Sequence, residues 1–152
     1  MTGKNTSFVL NGVSVAPGQR MSIDLSVGRL YTHSEITMPV YVINGKKPGK
    51  RLFLCAAIHG DEINGVEIIR RILTMPSLKN LNGTLIAVPV VNVHGFINTS
   101  RYLPDRRDLN RSFPGSAEGS LTARLAHLFM SEVVTNSTPV SYTHLTLPTN
   151  RE

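Results

Sequence analysis

The first 45 residues show short stretches in which hydrophobic and polar positions alternate. These stretches cover residues 7–20, 21–28 and 35–45, and Asn-Gly and Pro-Gly pairs mark turns within or after them. Alternation of this kind, interrupted by turn residues, is typical of antiparallel strands. We therefore assign residues 1–45 to an N-terminal antiparallel β segment.

The hydrophobic pattern changes in the middle of the chain. The run "RLFLCAAI" (51–58) is apolar throughout, as in a strand covered on both faces. Beyond it Val66, Ile69 and Leu73 recur at helical spacing until Pro76, and "GTLIAVPVVN" (83–92) predicts a second buried strand. A strand, helix and strand in this order predict two parallel neighbouring strands and an α/β fold.

A polar stretch without a clear pattern covers residues 93–119. Long irregular segments of this kind are usually functional or disordered. Hydrophobic residues then return at helical spacing and predict an amphipathic helix that ends near Val134, with its apolar positions at Leu121, Leu125, Leu128 and Phe129. We assign residues 46–134 to an α/β core and expect residues 135–152, which are rich in Thr and Ser, to be a non-native or disordered tail.

Composition limits the possible partners of the chain. The formal charge of +6 and the pI of about 9.9 favour an anionic partner, yet no basic stripe interleaved with aromatic residues supports nucleic-acid binding. No signal peptide or membrane-spanning run is present, and Cys55 is the single cysteine, so that no disulfide can form within the chain. We expect a cytoplasmic protein that binds a small anionic ligand and neither nucleic acid nor membrane.

A histidine and a glutamate follow the first apolar run. His59 lies at the carboxyl end of the predicted strand, where ligands bind in open parallel sheets, and Glu62 lies three residues later. This spacing allows an imidazole and a carboxylate to converge on one cation such as zinc, with Asp61 accepting a hydrogen bond from a ligand or an arginine. The alternative is that Asp61 and Glu62 only favour the start of the following helix.

A second cluster of polar residues occupies "SRYLPDRRDLNRSFPG" (100–115). The amide of Asn110 and the guanidinium of Arg111 suit bidentate capture of a carboxylate. Arg101, or one of Arg106 and Arg107, could supply a positive group next to a reacting carbonyl. A solvated loop held by pairs of arginine and aspartate is the structural alternative.

Taken together, "HGDE", "NGVEIIRRIL", "PVVNVHGF", "SRY" and "DLNRSFPG" resemble the succinylglutamate desuccinylase/aspartoacylase family, which is related to the zinc carboxypeptidases. The resemblance covers about residues 15–134. It implies a three-layer α/β/α carboxypeptidase-like fold and a Zn²⁺-dependent hydrolase that cleaves the amide bond of an N-acyl amino acid or a related small carboxylate.

The resemblance also implies roles for individual residues. His59 and Glu62 match the first two zinc ligands, Asn110 and Arg111 match the pair that binds the substrate carboxylate, and Arg101 matches the arginine next to the scissile carbonyl.

Two parts of the family's site have no match in this sequence. No "DLHT"-like strand supplies the third ligand, for which His144 is a weak candidate, and no suitable glutamate follows as general base. We therefore expect an inactive N-terminal portion of a longer enzyme. A non-catalytic module that binds metal or carboxylate is the alternative, while the specific substrate and the oligomeric state stay open.

Overall fold

A computed structural model of the chain describes residues 3–137, in which three helices pack on a mixed β-sheet. The strands are β1 (Phe8–Leu10), β2 (Val13–Val15), β3 (Arg20–Arg29), β4 (Glu35–Asn44), β5 (Lys47–Cys55) and β6 (Asn82–Val88). The α-helices are α1 (Asn64–Leu73), α2 (Val93–Ile97) and α3 (Leu121–Phe129), and a π-helical turn over Met130–Val134 continues α3. Short 3₁₀ turns cover Pro76–Asn80 and Leu109–Arg111.

The sheet joins antiparallel and parallel strands in the order β3-β4-β6-β5. β4 is antiparallel to both β3 and β6, and β5 is parallel to β6. The predicted parallel pair, with a helix between its strands, is therefore confirmed. β1 and β2 form a separate antiparallel hairpin, as the alternation near the N-terminus predicts. Because β4 pairs with β6, the predicted N-terminal segment and the predicted core contribute strands to one sheet. The boundary between these two segments at residue 45 stays a prediction.

The apolar run of β5 is less buried than its sequence predicts. Lys47–Leu52 are exposed and Phe53–Cys55 are partly buried. β5 lies at the edge of the sheet and pairs only with β6 among residues 3–137. Phe53 and Cys55 pack against one hydrophobic cluster, and Leu54 packs against the cluster on the other face of the sheet. The prediction of a strand covered on both faces is therefore confirmed for Phe53–Cys55 and wrong for Leu52, which is exposed.

Hydrophobic side chains pack on both faces of the sheet. On one face Ile69 and Leu73 of α1 contact Leu85 and Ala87 of β6, which confirms the apolar face predicted for this helix. On the other face Leu125 and Phe129 of α3 lie in a larger cluster with the β1–β2 hairpin and the inner side chains of β3 and β4. No helix within residues 3–137 is long and apolar enough to cross a lipid bilayer.

The carboxyl ends of β5 and β6 lie side by side and lead into the loops that carry the candidate site. β6 ends at Val88 because Pro89 follows and cannot donate a ladder hydrogen bond. The predicted second strand is therefore confirmed only up to this residue. The backbone N–H groups of Val91 and Asn92 then donate to the carbonyl oxygens of Ala56 and Ala57, which ties the two loops together.

Candidate active site

His59 lies directly beyond the carboxyl end of β5 and faces Glu62. The imidazole is buried, and its Nδ1 lies 2.8 Å from Oε1 of Glu62. Ala57 has a positive φ of 49°, a conformation that non-glycine residues rarely adopt and that often marks functional sites. The turn from Ala57 to Glu62 thus brings together the imidazole and the carboxylate that the sequence singles out.

Asp108 lies at the centre of the candidate site. Its Oδ1 lies 3.0 Å from Nε2 of His59 and accepts a hydrogen bond of 2.9 Å from the backbone N–H of Asn110. Its Oδ2 accepts two hydrogen bonds from the guanidinium of Arg101, at 3.2 and 3.0 Å. The side chain of Asp108 is only 9% exposed, so that these contacts fix its orientation.

The electrostatic surroundings keep Asp108 ionised. Burial acts to raise its pKa, but the hydrogen bonds from His59 and the Asn110 N–H, together with the positive charge of Arg101, outweigh burial and lower the pKa below its ordinary value. An ionised carboxylate therefore contacts the imidazole of His59 on the side opposite Glu62.

The substrate-binding residues predicted from the sequence divide into two groups. Arg101 is engaged with Asp108, whereas the side chains of Asn110 and Arg111 are exposed beside this ion pair. Nε of Arg111 lies 4.0 Å from Oδ2 of Asp108, and its side chain is 85% exposed. Arg106 and Arg107 are also exposed. Asn110 and Arg111 thus leave donor groups open to a ligand next to His59.

One prediction about the surroundings of His59 is wrong. Asp61 is exposed, and its side chain makes no hydrogen bond within residues 3–137. Asp108, 49 residues from His59 along the chain, contacts the imidazole instead. The sequence signal that could have indicated Asp108 is its position between arginines in "RRDLNR", two residues before Asn110. Sequence distance hid the contact, because the loop of residues 100–111 only approaches His59 after folding.

Two further histidines take different places. His94 is the second residue of α2, next to β3, and its Nε2 is buried without a hydrogen-bond partner among residues 3–137. Burial lowers its pKa, while the Val27 carbonyl and Asp105 act in the opposite direction. His144, the weak candidate for the third zinc ligand, lies outside the described residues.

The arrangement has two properties of a metal site. Nδ1 of His59 and Oε1 of Glu62 are close enough to contact one ion, since zinc bonds to nitrogen and oxygen are both about 2.0–2.2 Å long. A histidine that binds metal usually donates its other ring N–H to a carboxylate, a carbonyl or a water molecule, and Asp108 supplies such a carboxylate at Nε2 of His59. These residues therefore fit zinc, although no set of three metal-ligating side chains comes together in the part of the chain that the structure describes.

Comparison with protein families identifies the chain. Residues 48–142 match the model of the succinylglutamate desuccinylase/aspartoacylase catalytic domain. The chain belongs to this family. The match confirms the resemblance carried by the "HGDE" and "DLNRSFPG" motifs, and both motifs lie within the matched region.

Comparisons with individual proteins agree with this assignment to the succinylglutamate desuccinylase/aspartoacylase family. N-alpha-acetyl-L-2,4-diaminobutyric acid deacetylase of Halomonas elongata is 32% identical in an alignment of 106 residues that covers 65% of this chain and 31% of the relative. The succinylglutamate desuccinylase/aspartoacylase of Rhodobacter sphaeroides is 26% identical over 78% of this chain and 38% of its own, with a TM-score of 0.69.

A further structural relative is the ectoine utilization protein EutE (DoeB) of Ruegeria pomeroyi in a product-bound form. It is 26% identical over 89% of this chain and 42% of its own, with a TM-score of 0.71. These likenesses confirm the predicted α/β fold class of the zinc carboxypeptidase type. The chain spans between 31% and 42% of the length of these relatives.

Proposed function

We propose that this chain carries part of the active site of a zinc-dependent hydrolase, which cleaves the amide bond of an N-acyl amino acid or a related small carboxylate. Family membership supports a hydrolase of the deacylase type. The observation that carries the proposal is the placement of His59 between two carboxylates, with Glu62 on Nδ1 and Asp108 on Nε2.

In this proposal each residue has a distinct task. His59 and Glu62 would hold the zinc ion, and Asp108 would accept a hydrogen bond from the Nε2–H of His59, which leaves Nδ1 free as a ligand. Bound zinc would polarise the scissile carbonyl and lower the pKa of a water molecule. Arg101 lies beside the reacting carbonyl. Asn110 and Arg111 bind the substrate carboxylate through an amide and a planar guanidinium.

The described residues supply two of the metal ligands and no general base. A catalytic zinc site usually has three protein ligands and an open position. We therefore expect the chain of 152 residues to be inactive by itself. The full-length protein, meaning the longer protein expected to contain residues 1–134, should be active. A cytoplasmic location and a small anionic substrate complete the proposal.

Zinc content and turnover of the full-length protein test this function. We expect hydrolysis of a panel of N-acetyl and N-succinyl amino acids, with one zinc ion per site. His59→Ala and Glu62→Ala should each lower turnover by more than about 100-fold and release zinc. His33→Asn, at an exposed hairpin turn with positive φ, is the matched control and should leave both unchanged.

Two results would count against the proposal in different ways. A full-length protein that binds zinc and small carboxylates without turnover would be the alternative, a non-catalytic binding module. Unchanged zinc content and turnover after both substitutions would refute the assigned ligands.

A further inference from the structure

The loop that carries the proposed substrate-binding residues is attached to α3 through Asp105. Oδ2 of Asp105 accepts a hydrogen bond of 2.9 Å from the backbone N–H of Thr122, and Oδ1 accepts one of 2.5 Å from the Thr122 hydroxyl. Thr122 is fully buried in the first turn of α3. Among residues 3–137, these are the hydrogen bonds that join residues 101–111 to this helix.

Asp105 also shapes the loop from within. Its Oδ1 accepts a hydrogen bond from the backbone N–H of Arg107, and the N–H of Arg106 donates to the Leu103 carbonyl. Arg106 has a positive φ of 60°, so that the turn is not one that the backbone adopts readily by itself. Leu103 and Leu109 are buried on either side of the turn. A carboxylate fixed to α3 therefore holds a turn that ends directly before Asp108.

The N-terminus of α3 favours a negative charge at this position. Unpaired backbone N–H groups and the helix dipole make the first turn of a helix partly positive. Burial acts to raise the pKa of Asp105, but the hydrogen bonds from Thr122, the Arg107 N–H and Ser120 outweigh burial and lower the pKa. The contact is thus a charge-assisted one, stronger than a contact between neutral groups.

We propose that Asp105 is a positioning residue of the substrate site, which acts by fixing residues 101–111 to the N-terminus of α3. The inference rests on the function proposed above. Arg101 precedes the turn, while Asn110 and Arg111 follow it, so that the anchored turn sets the distance between the residues that meet the substrate. Without the anchor Asn110 and Arg111 would lose orientation before a ligand binds, and binding would have to restore it, whereas the ion pair with Asp108 would still hold Arg101.

Loss of the anchor should affect KM more than kcat. The substrate carboxylate contacts Asn110 and Arg111 in the bound state and in the transition state alike, and weakening such uniform binding raises KM with little change in kcat. Asp108 keeps its own hydrogen bonds to His59, Arg101 and Asn110. The zinc content should therefore stay unchanged.

The test uses the zinc-loaded full-length protein and a series of variants around this contact. Asp105→Ala should raise KM for an N-acyl amino acid by about tenfold, with kcat within about threefold of wild type. Thr122→Val removes only the hydroxyl and should raise KM by about threefold, whereas Thr122→Ser keeps the hydroxyl and should restore the wild-type value. Val133→Ala is the matched control, since it shortens a buried side chain that lies beyond α3 and takes no part in the hydrogen bonds of Asp105.

Hydrogen exchange gives a readout that does not depend on turnover. The backbone amides of residues 106–110 should exchange faster in Asp105→Ala than in wild type or Val133→Ala. An unchanged KM and unchanged exchange in Asp105→Ala would overturn the positioning role. A wild-type protein without hydrolytic activity would instead contradict the proposed function, and the exchange experiment would still decide whether Asp105 fixes the loop.

Discussion

The two segments that form the candidate site are held in place by different means. Residues 56–62 follow a strand, and their position is set by the backbone. The N–H of Ala56 donates to the Val88 carbonyl, and the N–H of Gly60 donates to the Ser100 carbonyl. Residues 101–111 belong to no strand, and carboxylates and buried leucines fix them instead.

This difference predicts how each segment fails. A segment held by its backbone tolerates the loss of a side chain but not the insertion of an atom between two closely packed main chains. A segment held by side chains should fail when a single carboxylate is removed. Substitutions in the two segments therefore separate effects on stability from effects on the site.

Gly60→Ala should have the largest effect on stability. A Cβ atom at Gly60 would overlap the backbone of Gly95 and Phe96 in α2, where no flexible side chain can move away. We expect the free energy of unfolding to fall by about 3 kcal/mol or more. Urea unfolding of the chain, followed by circular dichroism, measures the change.

Gly28→Ala is the control for this prediction. A Cβ atom at Gly28 would meet only the His94 ring, at the ordinary contact distance of 3.8 Å. The free energy of unfolding should change by less than about 1 kcal/mol. Equal effects of the two substitutions would show that close backbone packing does not hold residues 56–62.

The parts of the fold that are governed by local patterns could be predicted from the sequence. The apolar face of α1, the alternation in β3 and β4 and the stop at Pro76 follow directly from side-chain periodicity. The exposure of β5 could not be predicted, because it depends on which strands lie beside it. An apolar run indicates a strand, but the number of neighbouring strands is a property of the whole sheet.

The candidate site was predictable where its residues are close in sequence. His59 and Glu62 are three positions apart, and the structure brings them into contact. Asp108 escaped prediction because its contact with His59 joins two loops, and no periodic pattern reports such a distance. The prediction that Asp61 accepts a hydrogen bond at the site was wrong because proximity in sequence does not fix the direction of a side chain.

Among substitutions outside the two proposed ligands, Asp108→Ala should have the largest effect on the proposed metal site. It would leave the Nε2 atom of His59 without its carboxylate and release Arg101. Loss of a carboxylate that orients a metal-binding histidine typically weakens metal affinity by about 10–100-fold. Competition for zinc against a chelator, in the full-length protein, measures this loss.

Asp24→Ala, at an exposed position of β3, is the matched control and should leave zinc affinity unchanged. The fold of Asp108→Ala should persist, since residues 56–62 keep their backbone contacts. A zinc affinity within about twofold of wild type would indicate that the carboxylate does not orient His59.

The smallest expected effect concerns His94, which lies in the helix that contacts Gly60. Burial lowers its pKa below the ordinary value of 6.5, against the influence of the Val27 carbonyl and Asp105. The folded protein thus disfavours the protonated imidazole, and the unfolded chain takes up the proton first as the pH falls. The stability contributed by neutral His94 is therefore present above about pH 6.5 and decreases below it.

Unfolding in urea between pH 7 and pH 5 tests this prediction against His94→Gln, which cannot take up a proton. Wild type should lose more stability than the variant over this interval, while both should respond equally above pH 7. Because α2 packs against Gly60, the protection of residues 59–62 against hydrogen exchange, taken relative to the intrinsic exchange rate at each pH, should also fall at low pH in wild type alone. Equal acid sensitivity of both proteins would mean that protonation of His94 does not reach the segment that positions His59.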